Sequence, residues 1–539
     1  MNDMESLSEN SWDIIIAGTG LAQSLLAFAL SRSGKRVLHL DQNSYYGGSE
    51  AAFSLEEASE WVNSVNHHPS RTPFDEAKIF TYQHPQDSPR SSPSQTGSES
   101  SERPQSTPDL RPKLASSRAY TLSLSPYFLY TRSELISILI SSKVYRQLEF
   151  MAVGSWWLHF PEHPNAESND TGAARLFHRV PGNREDVFAD THISMKSKRT
   201  LMRFLRHLNK AQDEEASEME TNEDLSMPFG DYLSSKFSVP QDLHNPLLSL
   251  SLSQLPQQDT TASYAVPRIK RHLASIGALG PGFGSIVSKY GGGSEILQVG
   301  CRASAVGGGV YALDTGIQSI TDAEASAESE HPVEVQLSNG ETVRTKFVIG
   351  SAWDLPSQKQ PSCAKVARSI TIASSDFTSL LPVTAEGGPV PASAVLMFPG
   401  DTLSSPQSPP VYLQVHSSDT GDCPRQQSII YGSIALSGPE GHTLLECAVD
   451  RLLRAEGPQA IALWSMRYNQ LGRLSNDGTP PSIQTYSPHV FSFPPASLDL
   501  AFEDETVDVI KQAWMKIVGD EVDHDEFMNF EDREGASDD

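Results

Sequence analysis

The feature that most restricts the fold is a strand–turn–helix signature within the first fifty residues. Ile14-Ile15-Ile16-Ala17 is a short apolar run ending at Gly18, the pattern of a buried strand. From Leu21 to Ser33 apolar residues recur at helical spacing (Leu21, Leu25, Leu26, Phe28, Ala29) and stop at Gly34. Arg36 to Leu40 then reads as a second strand. Strand, turn, helix and strand within about 35 residues make a βαβ unit, the opening of a Rossmann-type sheet. Such a unit holds a dinucleotide when its turn reads G-x-G-x-x-G: one glycine for the tight turn, one to admit a pyrophosphate, one for close helix–strand packing. Gly18 and Gly20 fill two positions, but Gln23 stands at the third. The expectation is a scaffold without its dinucleotide. Asp41 ends the second strand where an acid would bind a ribose, although an Asp before Asn43 equally caps a turn.

At 539 residues the chain is long enough for two or three domains. Its 41 Lys and Arg against 67 Asp and Glu give a net charge of −26, which argues against nucleic-acid partners. The four cysteines (Cys301, Cys363, Cys423, Cys447) form no metal-ligand spacing and read as free thiols in a reducing compartment. Residues 1–13 lack the basic and apolar regions of a signal peptide, and no run of about 18 apolar residues exists to span a membrane. A cytoplasmic location follows. GxxxxGK[ST], HExxH and GxSxG are all absent, so neither a catalytic residue nor a metal ligand is expected. Asp523-His524-Asp525-Glu526 reads as a solvated acidic tail.

The pattern along the chain predicts an α/β domain with mixed sheets, interrupted by a mostly helical one. Residues 1–83 form its first part around the βαβ unit, and 84–113, rich in Ser and Pro, read as a disordered insertion. Residues 114–134 return to the first domain. Residues 135–255 are expected to be the helical domain, with one helix from Leu135 toward Leu148. Another, from Ser194 to Lys210, has an apolar stripe (Leu201, Phe204, Leu205, Leu208) and a basic face including Lys198 and Arg203. Residues 256–518 complete the first domain as a β-rich stretch, in which Val299 reads as strand, and 519–539 form an acidic disordered tail.

Three segments together resemble the Rab GDP-dissociation inhibitor and Rab escort protein superfamily. The first is Trp12 to Leu21 with Lys35 to Asp41, Asn43 and Tyr45-Tyr46-Gly47-Gly48, whose glycine pair is also like that of flavoproteins. The second is Tyr290-Gly291, Gly293, Glu295, Gln298, Arg302 and Gly308-Gly309-Val310-Tyr311. The third is Tyr145-Arg146 with Leu148-Glu149-Phe150. The resemblance implies a flavoprotein-like first domain without FAD or any other cofactor, a helical second domain, and no catalysis by the chain itself. It also implies binding of GDP-bound Rab GTPases through Tyr46, Glu295, Gln298, Arg302, Val310 and Ala312. Tyr46 could instead cover the sheet edge, Glu295 could cap the following segment, and Arg302 could pair with Glu295.

Length, the insertion, and the segment Arg184-Glu185-Asp186-Val187-Phe188 before the basic helix favour the escort branch. An escort protein would present Rab to the α/β heterodimer of Rab geranylgeranyltransferase and associate transiently with membranes. In helical domain II, Arg203 and Phe204 are the transferase-docking candidates, with core packing as the alternative for Phe204. Apolar segments at 135–148 and 201–208 are the candidates to shield the geranylgeranyl lipid, whose burial is worth ~0.8 kcal/mol per CH₂. The alternatives are a Rab GDP-dissociation inhibitor that recycles prenylated Rabs, or a flavin-dependent oxidoreductase.

Overall fold

The computed structural model describes residues 7, 11–68, 72–82, 112–160, 176–182, 184–190, 193–210, 222–322, 330–356, 362–475, 480–519 and 523–530. The βαβ unit forms as its pattern requires. Strand β1 (Ser11–Ala17), helix α1 (Leu21–Arg32) and strand β2 (Val37–Leu40) follow one another, and the two strands pair in parallel from Ile14–Val37 to Ala17–Leu40. The helix Glu134–Ser141 is α2, the strand Phe150–His159 is β3, and the helices Arg184–Ala189 and Met195–Lys210 are α3 and α4. Beyond the short helix Asn222–Ser226 come α5 (Phe229–Phe237), α6 (His244–Ser251) and α7 (Ala262–Ser275). The next elements are helix α8 (Gly293–Val306), strands β4 (Val310–Ala312) and β5 (Thr342–Gly350), and, near the end, helix α9 (Glu505–Val518).

Two sheets carry the molecule. The first runs β4-β2-β1-β5 and continues into Val333–Leu337 and Ile317–Asp322. Its pairs β4–β2, β2–β1 and β1–β5 are parallel. Ile14 and Ile16 point to one face with α1, α8 and α9, while Ile15 joins Leu38 and Val348 on the other, the alternation a buried strand imposes. The ten-stranded second sheet includes β3, which pairs in parallel with Ser393–Phe398 and antiparallel with Ser285–Ser288. The helices α3 to α7 pack over one end of it around Phe204, Phe229, Tyr232, Leu247 and Ile269.

Several expectations are corrected. The stretch 135–255 is not helical throughout: α2 ends at Ser141, Lys143 takes φ +65°, and β3 follows as a strand of the large sheet. Its lack of polar alternation reflects burial on both faces. Leu135, Ile138, Leu139 and Val144 pack with α1 and α9, whereas Leu201, Phe204 and Leu208 lie in the separate helical core. The two segments expected to line one lipid groove therefore belong to different cores. Val299 lies in α8, not in a strand. Part of the tail is ordered: Met528 is buried, and the Phe530 ring stands 5.4 Å from that of Phe28 with Arg32 over it. Apolar side chains so close to α1 cover core that a solvated tail would leave exposed. Most of the insertion 84–113, and residues 531–539, lie outside the described residues.

Candidate functional site

The dinucleotide turn is intact in backbone and altered in chemistry. Gly18 adopts φ +86°, which glycine accepts without steric cost. Asp41 is buried, and Thr19 donates to it from N (3.0 Å) and Oγ1 (2.5 Å). Asn43 donates to its other oxygen from N and Nδ2, both at 2.8 Å. Gly47 N closes the loop by donating to Thr19 Oγ1 at 2.8 Å. Asp41 is thus a fastener for the 41–48 loop, the turn-capping role.

The place of a pyrophosphate is lined by acids. The Asp354 carboxylate lies against Gly18, where any Cβ would collide with it, and Glu50 Oε2 and Gln23 Oε1 flank Gly20. Burial and the neighbouring Asp41 carboxylate push Asp354 up to about 7, and burial also raises Glu50. A cavity of about 140 Å³ remains beside these groups, bounded also by Arg368 and Arg473. Both arginines are already engaged, Arg368 by Gln470 and the Leu498 carbonyl and Arg473 by Glu503. The donor set does not fit a dinucleotide: the glycine turn offers its backbone to an anion, and the acidic side chains of Asp354 and Glu50 occupy the space in front of it.

The three distant signature segments converge on α8, at the edge of the first sheet. Tyr46 stacks edge-on to Tyr311 at 5.8 Å and donates to or accepts from Ser24 Oγ at 2.7 Å. Burial lifts its hydroxyl well above the usual tyrosine range, and Cys301 lies against both tyrosines. Tyr46 is therefore tied into the sheet edge by its hydroxyl. Glu295, Gln298 and Arg302 share one face of α8 at helical spacing. Arg302 donates to Glu295 at 3.0 Å, their side chains 53% and 26% exposed, so the internal pairing expected as an alternative does form. Val310 is exposed on β4, and Ala312 is half-buried. Two exposed apolar residues missed by sequence reasoning lie nearby in the chain: Val306, 68% exposed at the end of α8, and Leu313 just after β4. Their signal was weak, because a valine and a leucine in apolar runs read as ordinary core.

The basic helix α4 corrects one candidate. Phe204 has no exposed surface and packs 5.2 Å from the Phe237 ring; a ring inside the core cannot anchor a partner. It sits mid-stripe between Leu201 and Leu208, the face that α5 covers. Lys198, expected on the basic face, is buried with Nζ donating to the Phe188 carbonyl at 2.8 Å. Arg203 stays exposed, its guanidinium donating to the Phe237 carbonyl. The exposed apolar residues at this edge are Phe188 (51%) and Met195 (61%), beside exposed Lys196, Arg199 and Arg206. Phe188 was visible in the sequence as the end of a short motif, but exposure has no local signature.

The family model described as GDP dissociation inhibitor matches residues 7–77 and 91–390. The chain belongs to the GDP dissociation inhibitor family. Within this family it is similar to the Rab proteins geranylgeranyltransferase component A of Candida albicans, 28% identical over 78% of this chain and 59% of that protein. It is also similar to the protein of the same description from Saccharomyces cerevisiae, 26% identical over 82% of this chain and 64% of that protein. The chain thus spans about three-fifths of the length of these relatives. A solved Rab GDI from Plasmodium falciparum has the same fold as this family member, with a TM-score of 0.63 at 17% identity, covering 95% of this chain and 99% of that one. An oxidoreductase from Methanosarcina mazei shares the fold at a TM-score of 0.53 and 12% identity, covering 93% and 99%. The GDP dissociation inhibitor fold is thus flavoprotein-like here, a Rossmann-type α/β body with a helical block.

Proposed function

We propose that this chain is a Rab escort protein. It binds GDP-bound Rab GTPases on the α8 face, presents them to the Rab geranylgeranyltransferase heterodimer, and accompanies the lipid-bearing product to membranes from the cytoplasm. The chain is an accessory subunit and performs no covalent step. The observation that carries the reading is the convergence of three sequence-distant segments on α8, beside a nucleotide turn closed by Asp354 and Glu50. A surface of this kind, with an ion pair on α8 and the exposed Val306 one helical turn beyond Arg302, has the mixed polar and apolar character of protein interfaces.

Transferase docking falls to the edge formed by α3 and the start of α4. Phe188 supplies the aromatic anchor in place of Phe204, with Arg203 and Arg199 beside it, the residue types that dominate binding energy. The helical core of α4 to α7 is the candidate shelter for the geranylgeranyl chain. The test is a pull-down of unprenylated, GDP-loaded Rab, transferase and this chain. A ternary complex supports the escort reading; a chain that binds prenylated Rab and ignores the transferase is instead a recycling inhibitor.

A further inference from the structure

The turn that feeds α8 holds three consecutive residues at positive φ. Tyr290, Gly291 and Gly292 take φ of +62°, +102° and +61°. Glycine tolerates this region, but a bulky aromatic there is an outlier that persists only where the surroundings over-determine it. The surroundings do. Tyr290 N donates to the Thr420 carbonyl at 3.0 Å, and Gly291 N donates to Asp422 Oδ1 at 2.8 Å. The other Asp422 oxygen meets His416 Nδ1 at 2.9 Å, and both side chains are buried, at 1% and 4% exposure. On the other side, Lys289 N donates to the Glu149 carbonyl at 2.9 Å, and its ammonium pairs with the Glu149 carboxylate at 3.0 Å.

Two separate parts of the chain, Glu149 and the 416–422 segment, thus fix the backbone of this turn, and the Tyr290 ring projects outward from it. The Tyr290 ring lies on Gly421, where any Cβ would collide with it, yet it remains 50% exposed, with Lys289 Nζ 5.1 Å from its centre. A half-exposed ring gains little from folding to set against its backbone strain. It stands five residues before Glu295 and leads directly into the α8 face. Tyr145, also exposed, sits on the Val144–Gln147 turn that packs on the same helix.

We infer that Tyr290 is a contact residue for the GDP-bound GTPase, and that Asp422 and His416 are positioning residues holding it toward that partner. This rests on α8 being the GTPase platform. A rigid aromatic fixed before binding loses little side-chain freedom on association, which makes it an efficient anchor.

The test titrates GDP-loaded Rab GTPases against the full chain and its variants. Tyr290→Gly is expected to bind about tenfold more weakly, while its thermal unfolding midpoint stays level or rises because glycine accepts this backbone freely. Tyr290→Phe is expected to retain wild-type affinity. Asp422→Asn is expected to weaken binding, with no further loss when combined with Tyr290→Gly, since the two act through one contact. Wild-type affinity in Tyr290→Gly overturns the inference while leaving the platform intact, provided Glu295→Ala and Arg302→Ala still weaken binding. A wild-type chain that binds no GDP-loaded Rab removes the platform and this inference together.

Discussion

Asp354 rests its carboxylate on the bare Cα of Gly18, two residues 336 positions apart in the chain. The first glycine of a dinucleotide fingerprint is thus retained for a protein side chain, and the fold of a flavoprotein persists with its anion site taken by an acid. Gly18→Ala must then meet both a positive φ and this carboxylate. A loss of about 1–3 kcal/mol is expected in urea unfolding. Combining it with Asp354→Ala should cost less than the sum of the single changes, because part of the penalty is the collision between them.

The same carboxyl sets a pH signature. Its folded value of about 7 lies above the ordinary 3.8, so between these values the native state holds a proton that the unfolded chain has released. Its contribution to stability is therefore present at low pH and lost as pH rises through 7. His39, His159 and His272, each pushed down to about 4 by burial, act in the opposite sense below their ordinary 6.5. The difference between proteins isolates Asp354: Asp354→Asn, which mimics the protonated acid, should gain stability relative to wild type from pH 5 to pH 8 in urea midpoints.

Phe204 and Phe188 separate folding from docking. Phe204→Ala empties a fully buried site and is expected to cost about 3–5 kcal/mol in chemical denaturation. Phe188→Ala should change stability by less than about 0.5 kcal/mol and weaken capture of the transferase. The reverse pattern would return the docking role to Phe204.

Glu295 and Arg302 form an exposed ion pair, worth about 0–1 kcal/mol to the fold. Glu295→Ala and Arg302→Ala are accordingly expected to leave the melting temperature nearly unchanged. Each should lower affinity for GDP-bound Rab by about 1 kcal/mol or more, measured by titration calorimetry.

What the sequence made visible was local. Ile14 to Ala17, the Gly18–Gly20 turn and the stripe of α1 specify the βαβ unit through period and turn chemistry alone, and Gln23 already marked the altered cofactor site. The errors came where burial, not periodicity, decides. The strand β3, buried on both faces, fell inside the stretch expected to be helical, and the stripe of α4 gave no hint that Phe204 is enclosed while Phe188 is not. Long-range placement was invisible for the same reason. Nothing near Asp354 announces Gly18, and nothing near Asp422 announces the Tyr290 turn, because both contacts are created by sheet topology.

Geranylgeranyl transfer to a purified, GDP-loaded Rab by the transferase heterodimer, with and without this chain, distinguishes an escort protein from a recycling inhibitor. Transfer is expected to depend on the chain, to rise with its concentration to stoichiometry with Rab, and to fall in Glu295→Ala and Arg302→Ala. Transfer that proceeds equally in its absence, or a chain that extracts prenylated Rab from membranes without supporting the reaction, would contradict the escort reading.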